Sequence, residues 1–461
     1  MVGKLLPKWT EEVPDFSRYC TVDEYLKSSA RLAAEFPDHV KLSALGHSRC
    51  GDEITCLTIG NGPKNALFLG LPHPDEPVGA MVLEILAEKL ARNPDYVAES
   101  DFAWQLIKVA DPDGARLNEG WYGCPSDLFH FVTHYYRPTE PNQVEWTFPV
   151  RYKNLRFDRP IPETRAIMSF MEKRRIDFMM NLHNCTFGGA YFYLTHPAPE
   201  LLPELYRIAA SCDIPLHLGE PEVPYLEPWD DLASFRMYGV KDEYDYCESC
   251  GMEDPAAGIS AGASCDEYAQ ARWNPFGLIV EVPYFSHPSI ADETVLPRSR
   301  RTPALIGLQK RKEIFSALAP YFHRNRQHFI PSGLRDVLDE YFGRFEGDWE
   351  TAKARALADE RFDLPATAAQ AYDAEKLRPF KDLLKGGQLL RLVDLAREKA
   401  KGEIEERLFS ERENLAKLVK ERCELQAEIS EIRFLPIKSL VQAQLGCLLH
   451  GINFAEELPR P

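Results

Sequence analysis

The chain has no apolar run approaching the roughly 20 residues needed to span a bilayer. It also lacks positive charge in excess. Its net charge is −17 at pH 7, which argues against nucleic acid or an anionic membrane as the main partner. The N-terminal stretch has no apolar core followed by a small-residue cleavage site, so no secretory signal is expected. With no export signal, the eleven cysteines, an odd number, read as reduced thiols in a cytoplasm. A second Cys-x-x-Cys is missing too. Cys247 and Cys250 stand alone, without the further pair or spaced histidines of a structural zinc site, and read as free thiols in an acidic loop, with a reversible disulfide as the alternative. There is no internal repeat and no low-complexity tract.

What is present is an alternation of short apolar runs and amphipathic stretches over 461 residues, enough for two domains or one large domain with an extension. Helical spacing covers 22–36, and 40–45 with 54–59 read as an antiparallel pair of strands. Residues 66–71 form a buried strand bounded by turn formers, and a helix follows over 78–91, with Pro77 suited to its first turn. Further strands are expected at 105–110, 176–182, 190–194 and 278–282, and helices at 162–173, 200–211 and 265–272. The irregular, aromatic-rich stretch 121–160 has the character of a lid or a substrate wall. The expected fold is α/β: a mixed, mostly parallel central sheet with helices on both faces, over residues 1–325. Residues 326–461 form a helical C-terminal region, rich in interleaved charge. Within it, Leu408, Glu411, Leu415, Leu418, Arg422, Leu425, Ile429 and Ile432 share a heptad seam. An antiparallel helix pair, a dimerising coiled coil and a helix packed on its own domain all satisfy that seam.

Four strand ends carry chemistry. His73 and Glu76 lie on a turn after 66–71, Arg116 follows Asp111-Pro112-Asp113-Gly114, His183-Asn184 ends 176–182, and Glu281 interrupts an apolar strand. In open α/β sheets ligands bind at this edge. His-x-x-Glu offers nitrogen and oxygen to a divalent metal, and zinc suits that set. Taken singly, each has a plainer explanation: a capping Glu with a surface His, a satisfied core histidine, a salt-bridged glutamate. The ordered series is what points to a site, because an unpaired buried charge is costly.

The series resembles the zinc carboxypeptidase family. The matching pieces are His73-Pro-Asp-Glu76, Asp111-Pro112-Asp113-Gly114, Asn154-Leu155-Arg156-Phe157, Pro162-Glu163-Thr164-Arg165, Asn181-Leu182-His183-Asn184 and Glu281, spread over roughly 20–325. The resemblance implies one zinc ion held by His73, Glu76 and His183, with a fourth position open. It implies Glu281 as general base and then general acid, and Arg116 as the cation facing the oxyanion. Asn154 and Arg156 would take a terminal carboxylate, although one residue separates them here and Arg151 and Arg159 are rivals. Cys265 would sit in the side-chain pocket. Tyr268, with Tyr244 and Tyr246 as alternatives, would replace the family's substrate-contacting tyrosine.

The resulting expectation is a cytoplasmic, zinc-dependent hydrolase of carboxypeptidase type, acting on a small peptide or an N-acyl amino acid. Neither nucleic acid nor membrane is an expected partner, and the C-terminal helices offer a route to a homo-oligomer. A deacylase or amidase of the aspartoacylase type, needing no free carboxylate, is the second reading. A catalytically silent binding or scaffold protein is the third.

Overall fold

The computed structural model describes residues 8–458; the first seven residues, part of the stretch read for a secretory signal, lie outside them. Ten strands form the main sheet: β1 (Val40–His47), β2 (Glu53–Ile59), β3 (Lys64–Leu69), β4 (Phe102–Ile107), β5 (Phe178–Asn181), β6 (Asn184–Phe187), β7 (Tyr191–Leu194), β8 (Ser234–Arg236), β9 (Phe276–Ser286) and β10 (Arg433–Phe434). Their order is β1-β2-β4-β3-β5-β9-β7-β8, with β6 and β10 pairing on β9 outside that path. The centre, β4-β3-β5-β9, is parallel, and the flanking pairs β1/β2, β2/β4 and β9/β7 are antiparallel. This is the mixed α/β sheet expected from the alternation of runs.

The central strands are apolar throughout because both faces are covered. Along β3, Ala66 and Phe68 enter one core and Leu67 and Leu69 the other, as the period of two requires. The first core receives α1 (Val22–Glu35) and α2 (Pro77–Arg92). The second receives α3 (Pro162–Met171) and α4 (Cys265–Trp273). The α1 helix starts with a capping box, Thr21 accepting from Glu24 N–H and Glu24 reaching back to Thr21 N–H.

The helical region after residue 325 shares the first core. Arg301–Asn325 (α5), Gly333–Ala358 (α6), Arg378–Arg397 (α7) and Glu403–Ser430 (α8) pack together, and Ile437–Glu457 (α9) lies against α2 and β9. Phe315, Leu389, Leu415 and Leu440 belong to the same continuous cluster as Phe68 and Trp104. On α8, Leu408 and Leu415 are buried against this chain's own helices, while Leu425 of the heptad seam is 45% exposed. The consecutive helices α7 and α8 pack against each other and on the rest of the domain, so these contacts display two of the three readings, the helix pair and packing on its own domain. No helix among the described residues is long and apolar enough to cross a membrane.

Gly387 decides how closely α7 approaches the segment before the second half of the sheet. A Cβ there would fall 1.8 Å from the Val132 carbonyl oxygen of the short helix Leu128–His134. That partner is backbone and cannot swing away. Gly343, in α6, has open space around the same position. Gly387→Ala should therefore lower stability by about 1–3 kcal/mol through overpacking. Gly343→Ala should raise it by about 0.5–1 kcal/mol through helix propensity. Chemical denaturation of both variants tests this; equal shifts of the same sign would contradict the close approach.

Candidate metal centre

The strand β3 ends in a forced turn. A Cβ on Gly70 would lie 2.6 Å from the Lys108 carbonyl oxygen, so the backbones meet there with no room for a side chain. Leu71 follows with φ 50°, in the left-handed region that side-chain-bearing residues avoid at a cost of about 1–3 kcal/mol. The buried Leu71 side chain and the Asp111 N–H bond to the Leu71 carbonyl hold it in place. The turn closes with Glu76 N–H donating to the His73 carbonyl, and Pro77 starts α2. A Cβ on Gly79 would sit 2.4 Å from Leu182 Cβ, which presses the start of α2 against the end of β5.

That end of β5 delivers His183. The register Leu69 opposite Asn181 puts the two strand ends side by side. Asn184 joins them: its N–H donates to Glu76 Oε2 at 3.2 Å, and its side-chain oxygen accepts from Val78 N–H at 3.2 Å. The Gln444 amide of α9, buried, donates to the carbonyls of His183 and of Val280.

His73, Glu76 and His183 are all buried, and one ligand atom from each lies within 4.8 Å of the others. His183 Nδ1 and Glu76 Oε2 are 2.9 Å apart. His73 Nδ1 is buried with no hydrogen-bond partner among the described residues. Burial, helped by the Arg137 cation, holds the His73 imidazole well below its ordinary pKa, which favours the neutral form that binds metals. Two imidazoles and a carboxylate, one ring nitrogen of His73 being buried without a partner, fit a divalent metal such as zinc.

The centre opens into a cavity of about 870 Å³, which Glu281 also lines. Glu281 sits on β9, 9% exposed, with Oε2 unpartnered. Burial first, then Glu76 and Glu222, raises its carboxyl well above the usual range. A buried carboxyl with a raised proton affinity, lining the same cavity as the cluster, is a candidate for acid–base work.

The other expected residues do not gather here. Arg116 is spent elsewhere: Nε donates to Asp52 at 2.7 Å and Nη2 to Asp23 at 2.7 Å. The reason is local. Asp111 accepts from Gly114 N–H and caps a helix, Pro112–Tyr122, so the supposed turn is a helix start that directs Arg116 to β2 and α1. Asn154 forms the tip of a hairpin between Val150–Tyr152 and Leu155–Phe157, where it bonds Tyr244 and Asp254. Arg156 is exposed and donates to the carbonyls of Lys153 and Leu155. Cys265 is buried beside Met171, and the Tyr268 hydroxyl donates to Glu172, so neither lines the cavity.

Their places are taken by residues with no spacing signal. Arg137, in the aromatic-rich stretch, donates to Glu76 Oε1 at 2.9 Å and lies 3.6 Å from Asp75. Glu145 and Asp266, both buried, share the Asn181 amide at 3.1 and 2.7 Å. Burial raises both carboxyls, Asp266 to about 6; the Asp266 charge pushes Glu145 further up, while the hydrogen bond to Glu145 holds Asp266 back.

Two outcomes follow. The folded pair holds protons that the unfolded chain releases above about pH 4, so stability falls as pH rises from there through pH 6. Glu145→Gln should flatten this slope, by up to about 1.4 kcal/mol per pH unit for one proton, in denaturation run at pH 5 and 7. An unchanged slope would contradict the shared-proton pair. Purified protein should carry about one equivalent of divalent metal, and His73→Ala or His183→Ala should lower its affinity by at least about 100-fold in chelator competition. Retention of metal by both variants would place it elsewhere.

Comparison with known proteins follows the same lines. Over 270 residues the chain is 22% identical to an uncharacterized protein of Zymomonas mobilis, covering 57% of this chain and 58% of that one. Over 342 residues it is 23% identical to carboxypeptidase D of Anas platyrhynchos, covering 66% of this chain and 23% of that one. The chain thus spans under two thirds of the length of these relatives. Among solved structures, carboxypeptidase A from Helicoverpa armigera aligns with 16% identity and a TM-score of 0.38, over 58% of this chain and 65% of that one. Residues 25–206, the segment that holds His73, Glu76 and His183, match the family model for zinc carboxypeptidases.

Proposed function

We propose that this protein is a zinc-dependent hydrolase of carboxypeptidase type that cleaves an amide bond in a small peptide or an N-acyl amino acid. The observation that carries this reading is one cavity holding both the His73–Glu76–His183 cluster and the unpartnered, buried Glu281 carboxyl. His73, Glu76 and His183 would hold the ion. Zinc in such a site acts as a Lewis acid towards a carbonyl and lowers the pKa of water towards neutrality.

The chain's own residues supply the rest. Glu281, as carboxylate, takes a proton from the attacking water and then returns it to the departing amine nitrogen. Its raised affinity for a proton suits it to hold that proton between the two transfers. Arg137 keeps Glu76 oriented, and its guanidinium lines the cavity, where it faces negative charge developing on the carbonyl oxygen. The aromatic wall of Tyr191, Tyr193, Phe187 and Phe235 suits an apolar portion of the substrate.

A second reading, a deacylase or amidase that needs no free carboxylate, is favoured by one observation: Asn154 and Arg156 lie in a surface hairpin.

Hydrolysis of acylated amino acids and dipeptides tests the proposal. Glu281→Gln should lower kcat by about 10²–10⁴-fold with metal content unchanged. Turnover in the variant equal to that of the parent would remove Glu281 from the reaction.

A further inference from the structure

The hydrolase reading leaves a gap. If the substrate ends in a carboxylate, something must bind it, and the hairpin that bears Asn154 and Arg156 does not reach the cavity. Arg137 is committed to Glu76 and Asp75. The cavity wall formed by α5 and α7 holds four more cations: Arg311, Arg378, Lys381 and Lys385. Two are neutralised. Arg311 grips Asp382 through Nε at 2.6 Å and Nη2 at 3.3 Å. Arg378 pairs with Asp373 at 3.0 Å and donates to the carbonyls of Glu220 and Pro221.

Lys381 and Lys385 differ. Neither makes an ion pair or hydrogen bond among the described residues, yet both line the cavity. They are four apart on α7, so they sit one above the other on a single helical face. Asp382, the acid next to Lys381, is already occupied by Arg311. Lys385 is half-buried, with Asp382 and Glu340 near enough to act on its charge but neither in direct contact, so an arriving anion would find its donors free. Burial pushes its pKa down to about 8 against the more distant charges of Asp382 and Glu340, so it still carries its charge at neutral pH. The field of Lys381 reaches Glu281, and that of Lys385 reaches Asp75 and Arg137, so both amines belong to the neighbourhood of the reacting centre.

We propose that Lys381 and Lys385 bind the free carboxylate of the substrate, so that the helical region after residue 325 supplies the anion anchor of the site. Two ammonium groups on one helix face make a point-charge anchor in place of the planar guanidinium fork. The substrate class narrows accordingly to acylated amino acids or short peptides with a free carboxylate. The consequence for cleavage rests on the hydrolase reading; the anion site does not.

The test uses a probe pair without a hydrolysable bond, 4-phenylbutyrate and 4-phenylbutan-1-ol, titrated calorimetrically into metal-loaded protein. The parent should bind the carboxylate at least about 10-fold more tightly than the alcohol. The double variant Lys381→Ala/Lys385→Ala should lose that preference, and Lys381→Arg/Lys385→Arg should recover it. Thermal melting confirms that the variants fold. With matched substrates, the alanine variant should raise KM for the free-carboxylate member at least about 10-fold and leave its amide unaffected. Equal binding of the two probes by the parent overturns the proposal. So does an alanine variant that keeps the preference, since the carboxylate then sits on the metal or on Arg137. Failure of the hydrolase reading looks different: no turnover of any substrate, with the lysine-dependent preference intact.

Discussion

Leu69 lies opposite Asn181 in the parallel pairing of β3 with β5, and the site depends on that register. Side chains alternate along a strand, so a slip of one residue would turn His183 away from Glu76. Packing prevents the slip. Phe68 and Met180 on one face and Leu67 and Met179 on the other are fully buried. The strained Leu71 turn, the glycine contact of Gly79 on Leu182 and the bridging amide of Asn184 then convert a strand register into the position of three side chains. Strain of this kind persists only where the surroundings over-determine it.

The second constraint is charge. Asp75, Glu76, Glu281, Glu145 and Asp266 are nearly completely buried around one cavity or its floor. Such a concentration is tolerable because each acid is dealt with differently. Glu76 and Asp75 face Arg137, Glu145 and Asp266 share protons and the Asn181 amide, and Glu281 favours its protonated form. The helices from residue 301 onward complete the arrangement with the cationic wall of α5 and α7 and the Gln444 tether of α9. They are part of the site's architecture, sharing one core with the strands that carry the candidate ligands.

This explains what could be read from the sequence. Strands bounded by turn formers, and helices with clear spacing, were legible because burial on both faces writes itself into apolar runs. The His73, Glu76, His183 and Glu281 set was legible because each follows, or lies in, such a strand. Residues placed by loops were not. Arg116 was read as part of a turn, but the capping bond of Asp111 makes that turn the first turn of a helix. Asn154 and Arg156 matched a motif by composition, while their place in space is set by a hairpin with Lys153 at φ 48°. Cys265 and Tyr268 lie on the helix whose N-cap Ser264 and first-turn Asp266 do reach the cavity, so offsets of one and two residues separated the expectation from the site. Arg137, Lys381 and Lys385 sit among interleaved charges that, without coordinates, look the same as a solvated face.

X-ray absorption at the zinc edge of the metal-loaded protein tests the central claim most directly. The account predicts a first shell of nitrogen and oxygen alone at about 2.0–2.2 Å, with imidazole scattering that weakens in His183→Ala. A sulfur shell near about 2.3 Å would put the metal on cysteines, such as Cys247 and Cys250, and would contradict it.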